Sequence, residues 1–224
     1  ARALGQRGYS VTLAEAGETL GGRVRTESRL PGMASYQRVA DHRLAAFHKL
    51  PNVETYLASK LGAEDTMAFG APHIVLATGA RWRRDGVGRR QRLPLPMPIL
   101  DTGPAIYTPD DIMAGQEPVD GPVLIYDDDG YIMAGLIAEK LTRDGRNVTL
   151  MMPDAKVSPW TDNTLEQHAI QRRLLDASFN QLKPGGRLVY CTCSLEREEG
   201  EDQIEAFLSR TPDARLDPVT ADEL

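Results

Sequence analysis

The stretch AEKLTRDGRNVTL at residues 138–150 repeats the stretch ARALGQRGYSVTL at residues 1–13. Each copy reads as a helix, a glycine suited to the left-handed conformation that ends helices, and a strand. The offset is 137 throughout, and the matching positions are Ala1, Leu4, Gly8, Val11, Thr12 and Leu13 against Ala138, Leu141, Gly145, Val148, Thr149 and Leu150. A repeated helix–turn–strand pattern indicates a parallel α/β architecture.

The second copy is completed by an apolar run before its helix, Val123–Tyr126, which predicts a full β-α-β unit. The first copy opens in mid-helix, so we expect it to be truncated, without its first strand. Two such units predict tandem Rossmann-like lobes of the kind that bind FAD or NAD(P). The alternative is convergence, because helix, glycine and strand follow one another in many parallel α/β folds.

The rest of the pattern completes an α/β chain. His73–Ala77 is a continuous apolar run, typical of a buried parallel strand. The other elements expected are helices over 34–49, 164–182 and 201–210 and strands over 53–57 and 187–193. A Pro- and Gly-rich stretch, 80–122, is expected to link the lobes. The predicted domains are a truncated FAD/ADP-binding-like lobe (1–117), an NAD(P)-binding-like lobe (118–175) and a tail (176–224) of helix, strand and helix.

Composition excludes several classes of protein. The 224 residues are 41% hydrophobic with a mean hydropathy of −0.37, so the chain can bury a core. No apolar run approaches the roughly 18 residues of a membrane span, and no secretion signal is visible, so we expect a cytoplasmic protein without a membrane partner. Two cysteines, Cys191 and Cys193, exclude a disulfide scaffold and a four-cysteine metal site, and no metal site is predicted.

Charge separates the end of the chain from the rest. Residues 176–224 hold 11 acidic and 5 basic residues, which accounts for the whole net charge of −6. Phosphate contacts need clustered Lys and Arg, so an acidic end makes nucleic acid an unlikely partner.

The candidate nucleotide-binding residues follow the first repeat. Glu15 comes directly after the strand Val11–Ala14, where a carboxylate accepts hydrogen bonds from an adenosine ribose. The turn of Gly21, Gly22 and Arg23 offers backbone that a pyrophosphate can approach and a cation that can pair with it. The alternatives are an ordinary surface glutamate and a glycine turn with a solvated arginine.

A third candidate stretch ends the run 73–77. Ala77, Thr78 and Gly79 would let the chain pass close to a bound nucleotide. The alternative is a simple strand-to-loop turn. Each of the three signals is weak alone, but their order along the chain favours a nucleotide-binding site.

Seven stretches together resemble the C-terminal half of the trimethylamine dehydrogenase family, which includes dimethylamine and histamine dehydrogenases and related NADH:flavin oxidoreductases. They are VTLAEAGETLGGRV, RLPG, PNVE, HIVLATGARWRRDGVG, TPDDIMAG, YDDDGYIMAG and SPWTDNTLEQHAIQRRL, within residues 1–175. The resemblance implies a flavoprotein oxidoreductase whose first lobe binds FAD or ADP. Glu15, Gly22 and Arg23 match its nucleotide-contacting stretches.

The resemblance also implies that the family's catalytic half lies outside these residues. The family's catalytic half is a barrel with flavin mononucleotide and an iron–sulfur cluster, and it would be the missing partner of this part. We therefore expect a fragment that retains an adenine-nucleotide-binding and electron-transfer scaffold. We expect weak or lost binding of FAD or ADP, and no turnover by the isolated chain.

The second β-α-β unit departs from a working dinucleotide site. The repeat places the glycine-rich loop at residues 129–134, and its three glycine positions hold Asp129, Tyr131 and Ala134. Three successive aspartates, 127–129, put negative charge where a pyrophosphate would sit. We expect a loop that has lost its NAD(P)H ligand; the alternative for the acidic triplet is a metal site.

An arginine-rich stretch lies in the predicted linker. Its members are Arg81, Arg83, Arg84, Arg89, Arg90 and Arg92, with Trp82 among them. A single interleaved aromatic favours a solvated interdomain loop over contact with RNA.

The end of the chain carries a second resemblance. LLDASFNQLKPGGRLVYCTCSLEREEGEDQIEAFL, within 171–219, is similar to RNA 5-methylcytosine methyltransferases. That resemblance implies that Cys193 is a nucleophile toward cytosine. The family's upstream Pro-Cys motif, donor-binding glycine loop and acidic ribose contact are missing, so we expect no catalysis. The two resemblances meet at 171–176 and indicate a composite, with a methyltransferase remnant or a non-catalytic interaction module as alternative functions.

Overall fold

The computed structural model describes residues 1–96, 103–190, 197 and 200–217. These residues form two compact units. The first contains residues 1–82 and 113–116, and the second contains residues 83–112 and the described residues from 117 onward. Helices and parallel strands alternate in both, so the predicted α/β class is confirmed. The predicted boundaries at 117 and 175 stay a prediction.

The first unit is built around a two-stranded parallel sheet. Strands β1 (Val11–Ala14) and β2 (Val53–Tyr56) pair with Val11 opposite Val53. The helices are α1 (Arg2–Gln6), α2 (Arg23–Glu27), α3 (Gln37–Phe47) and α4 (Ala63–Ala68), with a 3₁₀ turn at Ala34–Tyr36. Leu30, Met33 and Ala40 form its buried centre.

The second unit repeats the pattern. Strands β3 (Val123–Tyr126) and β4 (Val148–Met151) pair in parallel, with Val123 opposite Val148. The helices are α5 (Pro109–Met113, whose last residue belongs to the first unit), α6 (Met133–Arg143), α7 (Gln167–Phe179) and α8 (Glu201–Arg210), with a 3₁₀ turn at Pro159–Thr164.

Helix α6 is the best-buried element of the second unit. Its apolar face includes Leu136, 2% exposed, and Leu141, 4% exposed. Burying a side chain of this size contributes about 1.5–3 kcal/mol. Gly135 lets α7 approach, because a Cβ there would lie 3.3 Å from Cγ2 of Ile170. The predicted β-α-β order of this region is confirmed.

Helix α8 of the acidic tail packs onto α7. Phe207 of α8 is 5% exposed, and its ring meets that of Phe179 edge-on at a centroid distance of 5.4 Å. Arg210 donates to Oδ1 of Asp176 at 2.8 Å, across the same contact. Helix α7 spans the point where the two resemblances meet, so the tail and the region before it share one core.

The strand predicted over His73–Ala77 is wrong. The segment has no regular structure, and Val75 and Leu76 are 76% and 82% exposed. A strand is stabilised by hydrogen bonds to a neighbouring strand. Among the described strands, β1 and β2 bond only to each other, and the segment bonds to neither.

The strand predicted over 187–193 is also absent where it can be examined. Residues 187–190 have no regular structure, and residues 191–193 lie outside the described residues. The described strands nearest in sequence, β3 and β4, pair with each other and leave the segment without a neighbour. The helix predicted near 201–210 is confirmed as α8.

In the described part of the chain, no helix is long and apolar enough to cross a membrane.

Candidate nucleotide site

Glu15 leaves the carboxyl end of β1. Its N–H donates to the carbonyl of Tyr56 at 2.9 Å, and its carbonyl accepts from Ser59 at 2.8 Å. Its carboxylate Oε1 accepts the N–H of Gly17 at 2.8 Å. The side chain is half-buried, and among the described residues Oε2 accepts no hydrogen bond. One carboxylate oxygen is therefore fixed, and the other is left as an acceptor within the described part of the chain.

The glycine turn, Gly21 and Gly22, comes directly before the first residue of α2. Gly21 and Gly22 have φ of +118° and +47°, values that favour glycine. A Cβ on Gly21 would lie 2.9 Å from Cγ of Arg25, whereas a Cβ on Gly22 would meet nothing within 4 Å. The backbone of Gly22 is therefore open on the side where a side chain would stand.

Arg23 joins two of the predicted stretches. Its NH2 donates to the carbonyl of Ala80 at 2.7 Å, and its Nε lies 3.8 Å from Oε1 of Glu27. The residue after Gly79 is thus held at the first turn of α2. The predicted strand is absent, and the contact of this stretch with α2 is the one through the carbonyl of Ala80, the residue after Gly79.

Glu15 is positioned by a different set of contacts. Its partners are Gly17 in the loop after β1, Tyr56 at the end of β2 and Ser59 in the loop after β2. The structure therefore joins Arg23 to Ala80, and it places Glu15 at the carboxyl end of β1. No contact between residues 77–79 and the glycine turn is seen among the described residues. Sequence reasoning missed the carbonyl of Ala80, because backbone acceptors carry no sequence signal.

The matching turn of the second unit is occupied by its own side chain. Asp127 is 4% exposed, and its Oδ1 accepts the N–H groups of Asp129 and Gly130 at 3.0 and 2.9 Å. Desolvation by burial raises the pKa of this carboxyl, although those two hydrogen bonds act in the opposite direction. A dinucleotide site directs such amides at a pyrophosphate. Here the Asp127 carboxylate takes them instead.

The arginine-rich stretch packs on this turn. The N–H of Arg90 donates to Oδ2 of Asp128 at 2.8 Å, and its guanidinium pairs with Asp154. The guanidinium of Arg89 lies 4.1 Å above the ring of Trp160. The expected solvated loop is therefore only half right, since these side chains are partly exposed but are anchored within the second unit.

Two further arginines of the stretch are paired. Arg84 donates to Asp111 at 2.7 Å and to the carbonyl of Ile106 at 2.7 Å. Arg83 forms a hydrogen bond to Asp85 that lowers the pKa of that carboxyl to about 2. The sequence contains the aspartates that pair with these arginines, but it does not show which arginine pairs with which aspartate.

The acidic triplet does not gather into a metal site. Asp127 and Asp128 accept hydrogen bonds from backbone N–H groups, as described above. Across the described ranges, no three His, Cys, Asp or Glu side chains come together as metal ligands. Cys191 and Cys193 lie outside the described residues.

Comparison with known proteins connects this geometry to amine dehydrogenases. The family model of the NAD(P)-binding Rossmann-like domain matches residues 1–59. Dimethylamine dehydrogenase from Hyphomicrobium sp. (strain x) is 32% identical over 191 residues, which cover 83% of this chain and 26% of that protein. The structure of histamine dehydrogenase from Rhizobium sp. 4-9 superposes with a TM-score of 0.74 at 49% identity, over 79% of this chain and 26% of the other.

The tail matches a different group. The model for 16S rRNA methyltransferase RsmB/F matches residues 144–224. Ribosomal RNA small subunit methyltransferase B of Vibrio cholerae serotype O1 is 52% identical over 64 residues, 29% of this chain and 15% of that protein.

The chain is homologous to two different families. Both resemblances drawn from the motifs are confirmed, and the chain is a composite of the two. The amine dehydrogenase match covers 83% of this chain and the methyltransferase match covers 29%. Together these shares exceed the whole chain, so the two matches overlap. The chain spans about a quarter of the length of the amine dehydrogenases it matches.

Proposed function

We propose that the first unit binds an adenine nucleotide, ADP or the ADP part of FAD, as part of a flavin-dependent amine dehydrogenase or related NADH:flavin oxidoreductase. The observation that carries the proposal is the carboxylate of Glu15 at the carboxyl end of β1. It lies within the residues that match the Rossmann-like domain. The homology to amine dehydrogenases supports the reaction class.

The ribose side of such a ligand fits the residues present. Oε1 of Glu15 is fixed by Gly17, which leaves Oε2 to accept a hydrogen bond from a ribose hydroxyl. A negative carboxylate also repels a phosphate on the 2′ position. Glu15 would therefore select a nucleotide whose ribose hydroxyls are unmodified.

The phosphate side fits less completely. The open backbone of Gly22 allows close approach, and Arg23 supplies a positive charge at the same turn. The guanidinium already donates to Ala80, so a pyrophosphate would share it with that carbonyl. When bound, FAD supplies the redox chemistry. These residues only bind and orient its adenosine end, and we expect weak affinity, micromolar or poorer.

A calorimetric titration with ADP and with FAD tests the proposal. Replacing Glu15 by Gln removes a charged acceptor, and loss of a charged hydrogen bond weakens binding by about tenfold or more. The matched control is Glu18→Gln, an exposed glutamate three residues along, which should leave binding unchanged. Submicromolar affinity for FAD, or equal affinity in the Glu15→Gln variant, would contradict the proposal.

We propose no catalytic role for the methyltransferase-like tail, although its family match favours cytosine methylation as the second candidate. A packing role for the tail is supported by two contacts of α8. The ring of Phe207 packs against Phe179, and Arg210 donates a hydrogen bond to Asp176. Incubation with radiolabelled S-adenosylmethionine and cytosine-containing RNA should transfer no methyl group. Incorporation that is lost in a Cys193→Ser variant would establish the second candidate instead.

A further inference from the structure

The turn after β3, residues 127–130, is part of a wider surface of the second unit. The N–H of Trp160 donates to the carbonyl of Gly130 at 3.0 Å, so the backbone that carries the indole is fixed to the turn. Asp154 lies at the same glycine, because a Cβ on Gly130 would stand 3.4 Å from its Oδ2. Trp160 is 49% exposed. An aromatic face therefore lies beside the carboxylates of Asp128 and Asp154.

Arg90 is bound to this surface through both its backbone and its side chain. Its N–H donates to Oδ2 of Asp128 at 2.8 Å, and its guanidinium pairs with Asp154. The chain two residues earlier passes close to the same carboxylate, since a Cβ on Gly88 would overlap Oδ2 of Asp128. A free amine has no backbone N–H to offer. The surface therefore recognises a peptide main chain as well as a cation.

Arg89 uses the aromatic face. Its guanidinium carbon lies 4.1 Å from the centroid of the Trp160 ring, and NH1 donates to the carbonyl of Asp129 at 3.4 Å. A planar guanidinium stacks on an aromatic ring and is more weakly hydrated than an ammonium. Such a contact favours arginine over lysine.

The loop that carries the two arginines, residues 85–95, is closed on itself. The N–H of Leu95 donates to the carbonyl of Asp85 at 2.8 Å, and the N–H of Gly88 donates to the carbonyl of Gln91 at 2.8 Å. The side chain of Arg90 is 53% exposed, and partly exposed ion pairs contribute little to stability. The tip of the loop can therefore leave the surface without breaking these internal hydrogen bonds.

We propose that Asp128, Asp154 and Trp160 form a binding site for a Gly-Arg-Arg segment of another protein, and that Arg89 and Arg90 fill this site as an internal competitor. A short tether holds a competitor at a roughly millimolar effective concentration, so the chain binds such a partner only weakly while the loop is in place. The site lies in the second unit and does not depend on the nucleotide contacts proposed for the first.

The probe is an acetylated and amidated peptide with the sequence of residues 86–91, Gly-Val-Gly-Arg-Arg-Gln. It should bind an Arg89→Ala/Arg90→Ala variant at least about tenfold more tightly than the wild type, because the competitor is gone. Binding is followed by the fluorescence of Trp160. The matched control, Arg81→Ala/Arg92→Ala, should bind the peptide like the wild type.

Further changes test how the site recognises the peptide. Asp154→Asn in the Arg89→Ala/Arg90→Ala variant should weaken binding about tenfold, the effect of losing a charged hydrogen bond. A peptide with Lys-Lys in place of Arg-Arg carries the same charge and should bind more weakly, as should one with Ala in place of the glycine before Arg-Arg. Equal binding of the Lys-Lys peptide, equal binding by the wild type and the variant, or no fluorescence change would overturn the proposal.

Hydrogen exchange of the wild type decides the question if the double variant fails to fold. Peptide at concentrations above roughly millimolar should displace the loop and speed exchange of the Arg90 amide, which otherwise donates to Asp128. The Lys-Lys peptide should have a smaller effect at the same concentration. Exchange of the Arg90 amide that the Arg-Arg peptide leaves unchanged would overturn the proposal.

Discussion

Asp127 illustrates how one residue can replace a ligand. Its carboxylate accepts two amides of its own turn, the groups that a phosphate would need. In a nucleotide-binding turn a glycine leaves those amides free, whereas an aspartate satisfies them internally. NAD(P)H would have to displace a buried, hydrogen-bonded carboxylate and face Asp128 and Asp129 as well.

The pKa of Asp127 predicts a pH dependence of stability. Burial raises this pKa above its ordinary value of 3.8, so the folded chain holds the proton more tightly than the unfolded chain. The resulting stabilisation is complete below pH 3.8 and is lost as the pH rises through the raised value. Asp127→Asn cannot titrate there, so its free energy of unfolding should rise relative to the wild type between about pH 4 and 7. Urea unfolding across that range measures the difference.

The matched control for this change is Asp129→Asn, an exposed neighbour in the same turn. The difference in the free energy of unfolding between Asp129→Asn and the wild type should vary much less with pH. A difference for Asp127→Asn that stays constant from pH 4 to pH 7 would show that burial does not perturb this carboxyl.

At the level of elements, the contact with α7 holds α8 in the second unit. Phe207 is the buried member of α8, and its ring packs against Phe179. Phe207→Ala should lower the free energy of unfolding by about 3 kcal/mol and free α8 to exchange its amides. Leu165→Ala is the control, because Leu165 is 91% exposed and should change stability by less than about 0.5 kcal/mol. Equal effects of the two changes would refute the packing of α8 on α7.

The sequence predicted helices and strands correctly where the local pattern was sufficient and where a strand had a neighbouring strand to pair with. β1, β4 and α6 follow from the repeat, and β3 follows from the apolar run before the second copy, because these are local patterns. The run 73–77 has the composition of a strand but lacks a strand to bond with, and composition does not show whether a neighbour exists. Pairing is a long-range property, which is why this prediction failed while α8 was predicted correctly.

The same distinction applies to the candidate site. Glu15 was placed correctly at the end of β1, because its position depends only on the strand before it. The hydrogen bond from Arg23 to Ala80 spans 57 residues and involves a backbone carbonyl, so no motif announces it. The anchoring of Arg89 and Arg90 on the second unit likewise depends on Trp160 and Asp154, which are remote in sequence.

For the whole molecule, two homologies share one chain. The amine dehydrogenase match covers most of it, and the methyltransferase match covers the tail and overlaps the first. Helix α7 lies where the two matches overlap, and with its partners α6 and α8 it belongs to one packed unit. A composite sequence can therefore form a continuous core across the junction.

Hydrogen exchange of the full chain, with and without saturating ADP, shows which unit binds the nucleotide. We expect slower exchange at 11–23 and around Ala80, where Glu15 and the glycine turn lie, and no change at 123–132. NADH should leave 123–132 unchanged too, because Asp127 already occupies the amides of that turn. Protection confined to 123–132, or no protection in either unit at saturating ADP, would contradict the claim that the first unit is the nucleotide-binding one.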